Sequence, residues 1–244
     1  RVGLLAAGTP EARLVAERLT DVGRLKAARI HPVALLMALR TFATGYDERG
    51  DDHWYPAPEI VAALNEAFHL AFAAVEPSNK RFVVGVDVSG SMDSPVAGSR
   101  MTCAEGAAAM AMALVHAEPQ VSTMAFANDF RSLPFHKGLR LDAALALTQG
   151  MTFGPTDCAL PMRWARHVGV KADTFVVITD NETWSGPMKP MAELHRYREE
   201  TGIHASLVVI GMTATEFTIA DPKDPKTLDV AGFDATVPAL VGTL

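Results

Sequence analysis

Phe82-Val83-Val84-Gly85-Val86-Asp87-Val88-Ser89-Gly90-Ser91-Met92 is an apolar, β-branched run that ends abruptly in Asp-x-Ser-x-Ser. Residues of this kind read as a strand. The run therefore predicts a buried strand that delivers three oxygen-bearing side chains, Asp87, Ser89 and Ser91, into one tight turn.

Downstream of this stretch, strand and helix patterns alternate. A small-residue helix is expected over 102–116, a strand over 120–126, and a short antiparallel partner over 132–135. Helices follow near 141–148 and 157–167. Thr174-Phe175-Val176-Val177-Ile178-Thr179-Asp180 is a second continuous apolar strand ending in an acid. A helix over 189–201, a strand over 205–210, a short strand near 228–230 and a last helix over 235–244 complete the pattern. Near-continuous Val/Ile runs mean strands buried on both faces. With intervening helices they give an α/β fold with a doubly wound, mostly parallel, Rossmann-like sheet over 79–244. Ligands of such sheets sit beyond the carboxyl ends of the strands, the edge expected to carry Asp87 and Asp180.

Upstream, 1–78 reads as a short all-α segment. Thr9-Pro10-Glu11 offers an N-cap, a first-turn proline and an early acid, with Leu14, Val15 and Leu19 at helical spacing. A second helix is expected from 31–32 to Gly45 and a third from Pro56 or Pro58 through Phe72. The acidic loop 47–53 lacks calcium-loop spacing and reads as solvated. Pro77-Ser78-Asn79-Lys80 reads as a linker.

Composition narrows the functional classes. A net charge of -6 argues against a generally basic surface that coats nucleic acid. The charge is uneven, however. Residues 1–46 hold seven basic residues against three acidic ones, a net +4 that leaves -10 for the remainder. A basic helical arm on an acidic body keeps a polyanion partner in play, alongside the plainer reading of charged outer helix faces. Cys103 and Cys158 fit no disulfide framework or zinc spacing, which sets the expectation of a reducing, cytoplasmic setting. Both read as small core residues. No apolar run reaches the roughly 18 residues of a membrane span. A chain that opens on Arg1 rather than Met reads as a piece of a longer protein.

Three segments are expected to converge at the strand edge: Asp87-x-Ser89-x-Ser91, Thr156-Asp157 in the loop 152–157, and Asp180. All their donors are hard oxygens, which suits Mg²⁺ or Mn²⁺ and not zinc or copper. With two carboxylates and three hydroxyls, an octahedral ion keeps waters and one position open to an acidic group from a partner. This pattern resembles the metal-ion-dependent adhesion site (MIDAS) of the von Willebrand factor A fold, whose five positions match Asp87, Ser89, Ser91, Thr156 and Asp180. The resemblance implies direct coordination by Ser89, Ser91 and Thr156, and direct or water-mediated binding by the two Asp.

A second resemblance spans nearly the whole chain. Lys26-Ala27-Ala28-Arg29-Ile30-His31-Pro32, Thr44-Gly45-Tyr46 with Arg49-Gly50, Ala73-Ala74-Val75-Glu76-Pro77 and Ala231-Gly232-Phe233-Asp234 look like the Ro autoantigen family of TROVE-module RNA-binding proteins. That resemblance implies the closing end of a ring of helical repeats joined to an A domain. It implies small noncoding Y-like RNA and RNA quality control through the complete parent protein, as a monomer or ribonucleoprotein subunit. It also implies an acidic protein ligand at the metal. Arg24, Lys26, Arg29 and His31 are the expected RNA contacts. The alternative is a stand-alone metal-dependent protein-binding A module without RNA.

Enzymatic readings fare worse. A dehalogenase-type phosphatase needs a second acid two residues after the first, where Ser89 stands. Val88-Ser89-Gly90 lacks the preceding glycine of a nucleophile elbow, and no phosphate-binding glycine loop appears. Catalysis is not expected. Trp184 is a further residue that could line the site, although simple packing explains it as well.

Overall fold

The computed structural model describes residues 5–28, 30, 32–46, 53–71, 76–96, 101–149, 151, 154–180, 185–213, 218–232 and 237–244. The chain divides into two compact units, Arg1–Val75 and Glu76–Leu244. Calls on 47–52, on Phe72 and Ala73-Ala74-Val75, and on Trp184, Phe233 and Asp234 lie outside the described residues.

In the first unit α1 (Pro10–Leu19), α2 (Val22–Ala28) and α3 (Pro32–Thr44) all pack on α4 (Pro58–Ala71). Thr9 caps α1, its hydroxyl accepting the Ala12 N–H at 3.2 Å. The stripe expected to bury α1 is only partly covered. Ala12 is fully buried, whereas Leu14 is 46% exposed. The expected single helix before Gly45 is preceded by a separate α2, because Asp21 breaks the run and accepts the Arg24 N–H at 3.0 Å. Leu35, Leu36, Leu39, Leu64 and Phe68 form the core of this unit.

The second unit is a six-stranded sheet in the order β3-β2-β1-β4-β5-β6. The strands are β1 (Arg81–Asp87), β2 (Gln120–Phe126), β3 (Phe130–Ser132), β4 (Thr174–Thr179), β5 (Ser206–Gly211) and β6 (Thr227–Ala231). Every pairing is parallel except β2 with β3. All six residues of β4 and of β5 are buried, as continuous apolar runs require. The short antiparallel strand lies earlier than 132–135. Phe126 pairs with Phe130 across a turn closed by the Ala127 N–H to the Asp129 carbonyl, so pairing begins at Phe130 and its last bonds tie buried Leu133 to Thr123, through the Leu133 N–H at 2.9 Å and the Leu133 carbonyl at 2.8 Å.

Helix α5 (Cys103–Ala117) packs on β1, β2 and β4 and is buried nearly all round, which its alanines permit. A capping box closes its start: Glu105 N–H to the Thr102 hydroxyl at 3.1 Å, and Thr102 N–H to the Glu105 carboxylate at 2.9 Å. α6 (Leu141–Thr148) and α9 (Val237–Thr243) lean on α5. α7 (Leu160–Val168) and α8 (Pro190–Thr201) pair with each other. Their core includes Val83, Phe126, Met162, Phe175, Val177, Leu194 and Tyr197. Gly85 leaves room for α7 against β1, since a Cβ there would sit 2.7 Å from Cγ of Pro161. α7 begins at Leu160 rather than 157, because residues 157–159 form a turn in which Asp157 Oδ1 accepts the Ala159 N–H at 3.0 Å.

The linker expected at 77–80 is pinned. The Ser78 and Asn79 N–H groups donate to the buried Glu118 carboxylate at 2.8 and 3.1 Å. Arg81 then grips Asp173 through Nε at 2.8 Å and Nη2 at 2.5 Å. This hydrogen bonding holds the Asp173 carboxyl below its ordinary value. A depressed carboxylate stabilises the fold above its unfolded-state pKa of about 3.9 and loses that contribution as pH falls through the folded-state value. Asp173→Asn should therefore lower the urea midpoint at pH 7, with the gap to wild type closing below about pH 4. A gap that stays constant from pH 7 to pH 3 would assign the effect to something other than this ion pair.

Candidate metal centre

Sheet order decides where a ligand can sit. The chain leaves β1 towards β2 on one side and returns to β4 on the other, so the β1/β4 boundary is the switch point. The register that pairs Val86 with Ile178 sets Thr179 level with Asp87 and Asp180 one residue beyond. Asp87 is fully buried and Asp180 is 3% exposed.

The turn after β1 is built by its own polar groups. Asp87 Oδ1 accepts the Ser89 N–H at 2.9 Å, and Oδ2 accepts the Thr179 hydroxyl at 2.6 Å. Ser89 leads into a single 3-10 turn, Gly90–Asp93, anchored by buried Met92. The hydroxyls of Ser89 and Ser91 lie 3.1 Å apart. Thr156 is buried, its carbonyl accepting the Ser185 N–H at 2.7 Å and the Ser185 hydroxyl at 2.9 Å. The Asp180 carbonyl accepts the Thr213 hydroxyl at 2.5 Å.

Electrostatics ties the segments together. Burial pushes the Asp87 carboxyl up to about 6, opposed by hydrogen bonds from Thr179 and Ser89 and reinforced by the charge of Asp180. Burial likewise drives the Cys158 thiol far up, with the charges of Asp87, Asp157 and Asp180 adding to it. Cys158 follows Asp157, whose N–H donates to the Ala127 carbonyl just past β2 at 2.9 Å, which brings the Thr156 loop to the same edge as Asp87 and Asp180. Its thiol is buried and protonated, as a core residue rather than a nucleophile.

A raised carboxylate pKa means that ionising Asp87 costs folding stability between its unfolded value of about 3.9 and its folded value of about 6. A cation would offset that cost. Among the described residues no Lys or Arg is paired with Asp87, and no cluster of three or more His, Cys, Asp or Glu is placed to hold a metal. The available donors are two carboxylates with hydroxyls of Ser89, Ser91 and Thr156. That set fits a hard divalent ion and suits softer metals poorly.

The Ro60 vWA domain model matches residues 81–244. This chain belongs to the Ro60 vWA domain family. It is 46% identical over 241 residues to the RNA-binding protein RO60 of Deinococcus radiodurans, covering 98% of this chain and 45% of that protein. It is 40% identical over 228 residues to the RNA-binding protein RO60 of Caenorhabditis elegans, covering 93% and 36%. The crystal structure of the Deinococcus radiodurans RO (RSR) protein superposes with a TM-score of 0.78 at 44% identity, over 97% of this chain and 48% of that one. The chain thus spans less than half the length of either RO60 relative.

Within this Ro60 A domain, sequence reading missed Thr179. A threonine inside an apolar strand looks like a β-former, and only the register turns its hydroxyl into the ligand of Asp87 Oδ2. Of the four expected RNA contacts, two lie among the described residues. Arg24 and Lys26 both lie on α2, but residues two apart point to different sides of a helix. Arg24 also pairs with Asp21 at 3.3 Å. Arg29 and His31 lie outside the described residues. No described helix is long and apolar enough to cross a membrane.

Thr179→Val removes the hydroxyl at nearly constant volume. Losing a buried hydrogen bond to a charged group should cost about 2 kcal/mol of stability. Carboxyl-carbon NMR should place the Asp87 titration above its wild-type value of about 6. An unmoved titration would show that this hydroxyl does not hold the carboxylate.

Proposed function

We propose that this chain works within a Ro-type RNA-binding protein that handles small noncoding, Y-like RNA in cytoplasmic RNA quality control. In this reading its A domain holds Mg²⁺ or Mn²⁺ and engages an acidic protein partner. The observation that carries the RNA part is identity of 46% running through the helical unit as well as the A domain, over 98% of this chain, to a protein named as RNA-binding. A module recruited only for adhesion would have no reason to keep the helical unit in step with that relative.

The metal part rests on two buried carboxylates at one strand edge, with the Thr179 hydroxyl on Asp87, the Ser89 and Ser91 hydroxyls paired in the turn that follows, and ionisation of Asp87 opposed by burial and by Asp180. Asp87 and Asp180 supply the charge, and Ser89, Ser91 and Thr156 supply neutral oxygens. A bound divalent ion would offer an open position to a partner carboxylate. The proposed role is binding rather than catalysis, since the residues gathered at this edge are oxygen donors suited to a cation and the Cys158 thiol is buried.

Millimolar Mg²⁺ or Mn²⁺ should raise the melting temperature of the chain, and Asp87→Ala should abolish that rise. Equal shifts in wild type and variant would defeat the metal assignment. For RNA, the complete parent protein should bind a small stem-loop RNA in gel shifts, with affinity falling steeply as salt rises. Absence of salt-sensitive binding there would favour the stand-alone protein-binding module.

A further inference from the structure

Asp157, next to the proposed ligand Thr156, is a third buried carboxylate at the same edge, 5% exposed, yet both of its oxygens are engaged. Oδ1 accepts the Ala159 N–H at 3.0 Å and Oδ2 accepts Arg163 Nη2 at 2.7 Å. Its own N–H donates to the Ala127 carbonyl at 2.9 Å. Gly186, at φ +122°, lies so close over it that a Cβ would fall 2.5 Å from the carboxylate carbon. Ser185, the residue before, ties down the Thr156 carbonyl with two hydrogen bonds. Two chain segments, 127 and 185–186, thus close on the Thr156-Asp157 dipeptide.

Arg163 is itself held. Its side chain is 19% exposed, and Nε lies 3.8 Å from Glu193 Oε1 on α8, where the Glu193 side chain is 3% exposed. Glu193 Oε2 lies 3.4 Å from Arg166 Nε, and Arg166 Nη1 reaches Glu200 at 3.0 Å. Arg163 and Arg166, three apart on α7, share one helix face. An alternating row Asp157, Arg163, Glu193, Arg166, Glu200 therefore runs from the Thr156 loop along the α7/α8 seam. Buried ion pairs in general are weak determinants of stability, so a row of this kind invites a positional explanation.

We infer that Arg163, braced by Glu193, is a positioning residue for the metal centre. It claims the Asp157 carboxylate, keeps it out of the ligand set, and so holds Thr156 where its hydroxyl can join Asp87 and Asp180. The inference rests on the metal reading above and extends it to residues outside the five matched positions. Its consequence is that cation binding at the strand edge and packing of α7 on α8 are coupled.

The test uses the whole chain and Mg²⁺ itself, measured by titration calorimetry, with amide exchange of the metal-free protein as an independent readout. The double variant Asp157→Asn/Arg163→Met removes both charges together, so the charge of the site is unchanged and any loss of affinity reports geometry. It should bind Mg²⁺ about tenfold more weakly, in the range seen when outer-shell partners of metal ligands are removed. Its amides over 156–160 and 185–186 should exchange faster than in wild type. Arg163→Lys alone, which keeps a cationic donor beside the Asp157 carboxylate, should lose less and guards against a double variant that fails to fold. Wild-type affinity in the double variant overturns the positioning role while leaving the metal reading intact. A wild-type chain that takes up no Mg²⁺ overturns both.

Discussion

Two carboxylates buried side by side at the ends of adjacent parallel strands set the terms for this molecule. Asp87 terminates β1, Asp180 follows β4, and each is almost entirely withdrawn from water. Charges so placed repel and are poorly solvated, and burial raises the Asp87 pKa accordingly. Such a pair persists only where the surrounding structure fixes it or a cation neutralises it. Here the fixing is visible in the Ser89 N–H and Thr179 hydroxyl, which occupy one oxygen each of Asp87.

The sheet topology makes that juxtaposition unavoidable. With β1 and β4 as neighbours at the switch point, their carboxyl ends meet at the same place, Asp87 leading into the Ser89–Ser91 turn and Asp180 following Thr179. α5 and α7 both pack against β1, which is why α5 is alanine-rich and why Gly85 carries no side chain beneath Pro161. The core thus serves the edge: close packing fixes two strands whose carboxyl ends carry the charge.

Membership of the Ro60 vWA domain family fits a chain in which this edge sits on a domain preceded by a helical unit. The entry to the A domain is not a loose tether. Glu118 gathers the Ser78 and Asn79 amides, Lys80 Nζ reaches the Gly242 carbonyl at 2.9 Å, and Arg81 locks onto Asp173. A stretch whose Pro, Ser and Asn suggest flexibility is held by partners far away in the sequence.

What the sequence by itself determined was the strand-helix alternation, the mostly parallel α/β sheet and the resemblance to the Ro family, and it nominated Asp87, Ser89, Ser91, Thr156 and Asp180 as candidates. Those are properties of local runs: β-branched continuity, an acid at a strand end, hydroxyls at fixed spacing. Tertiary structure alone decided the rest. Strand register brought Thr179 level with Asp87; a turn held by the Asp157 side chain moved the start of α7 to Leu160. Helix phase set Arg24 and Lys26 on different sides, and pairing across the α7/α8 seam joined Asp157 to Arg163 and Glu193. Each of these depends on partners distant in the chain, whose identity no local pattern encodes.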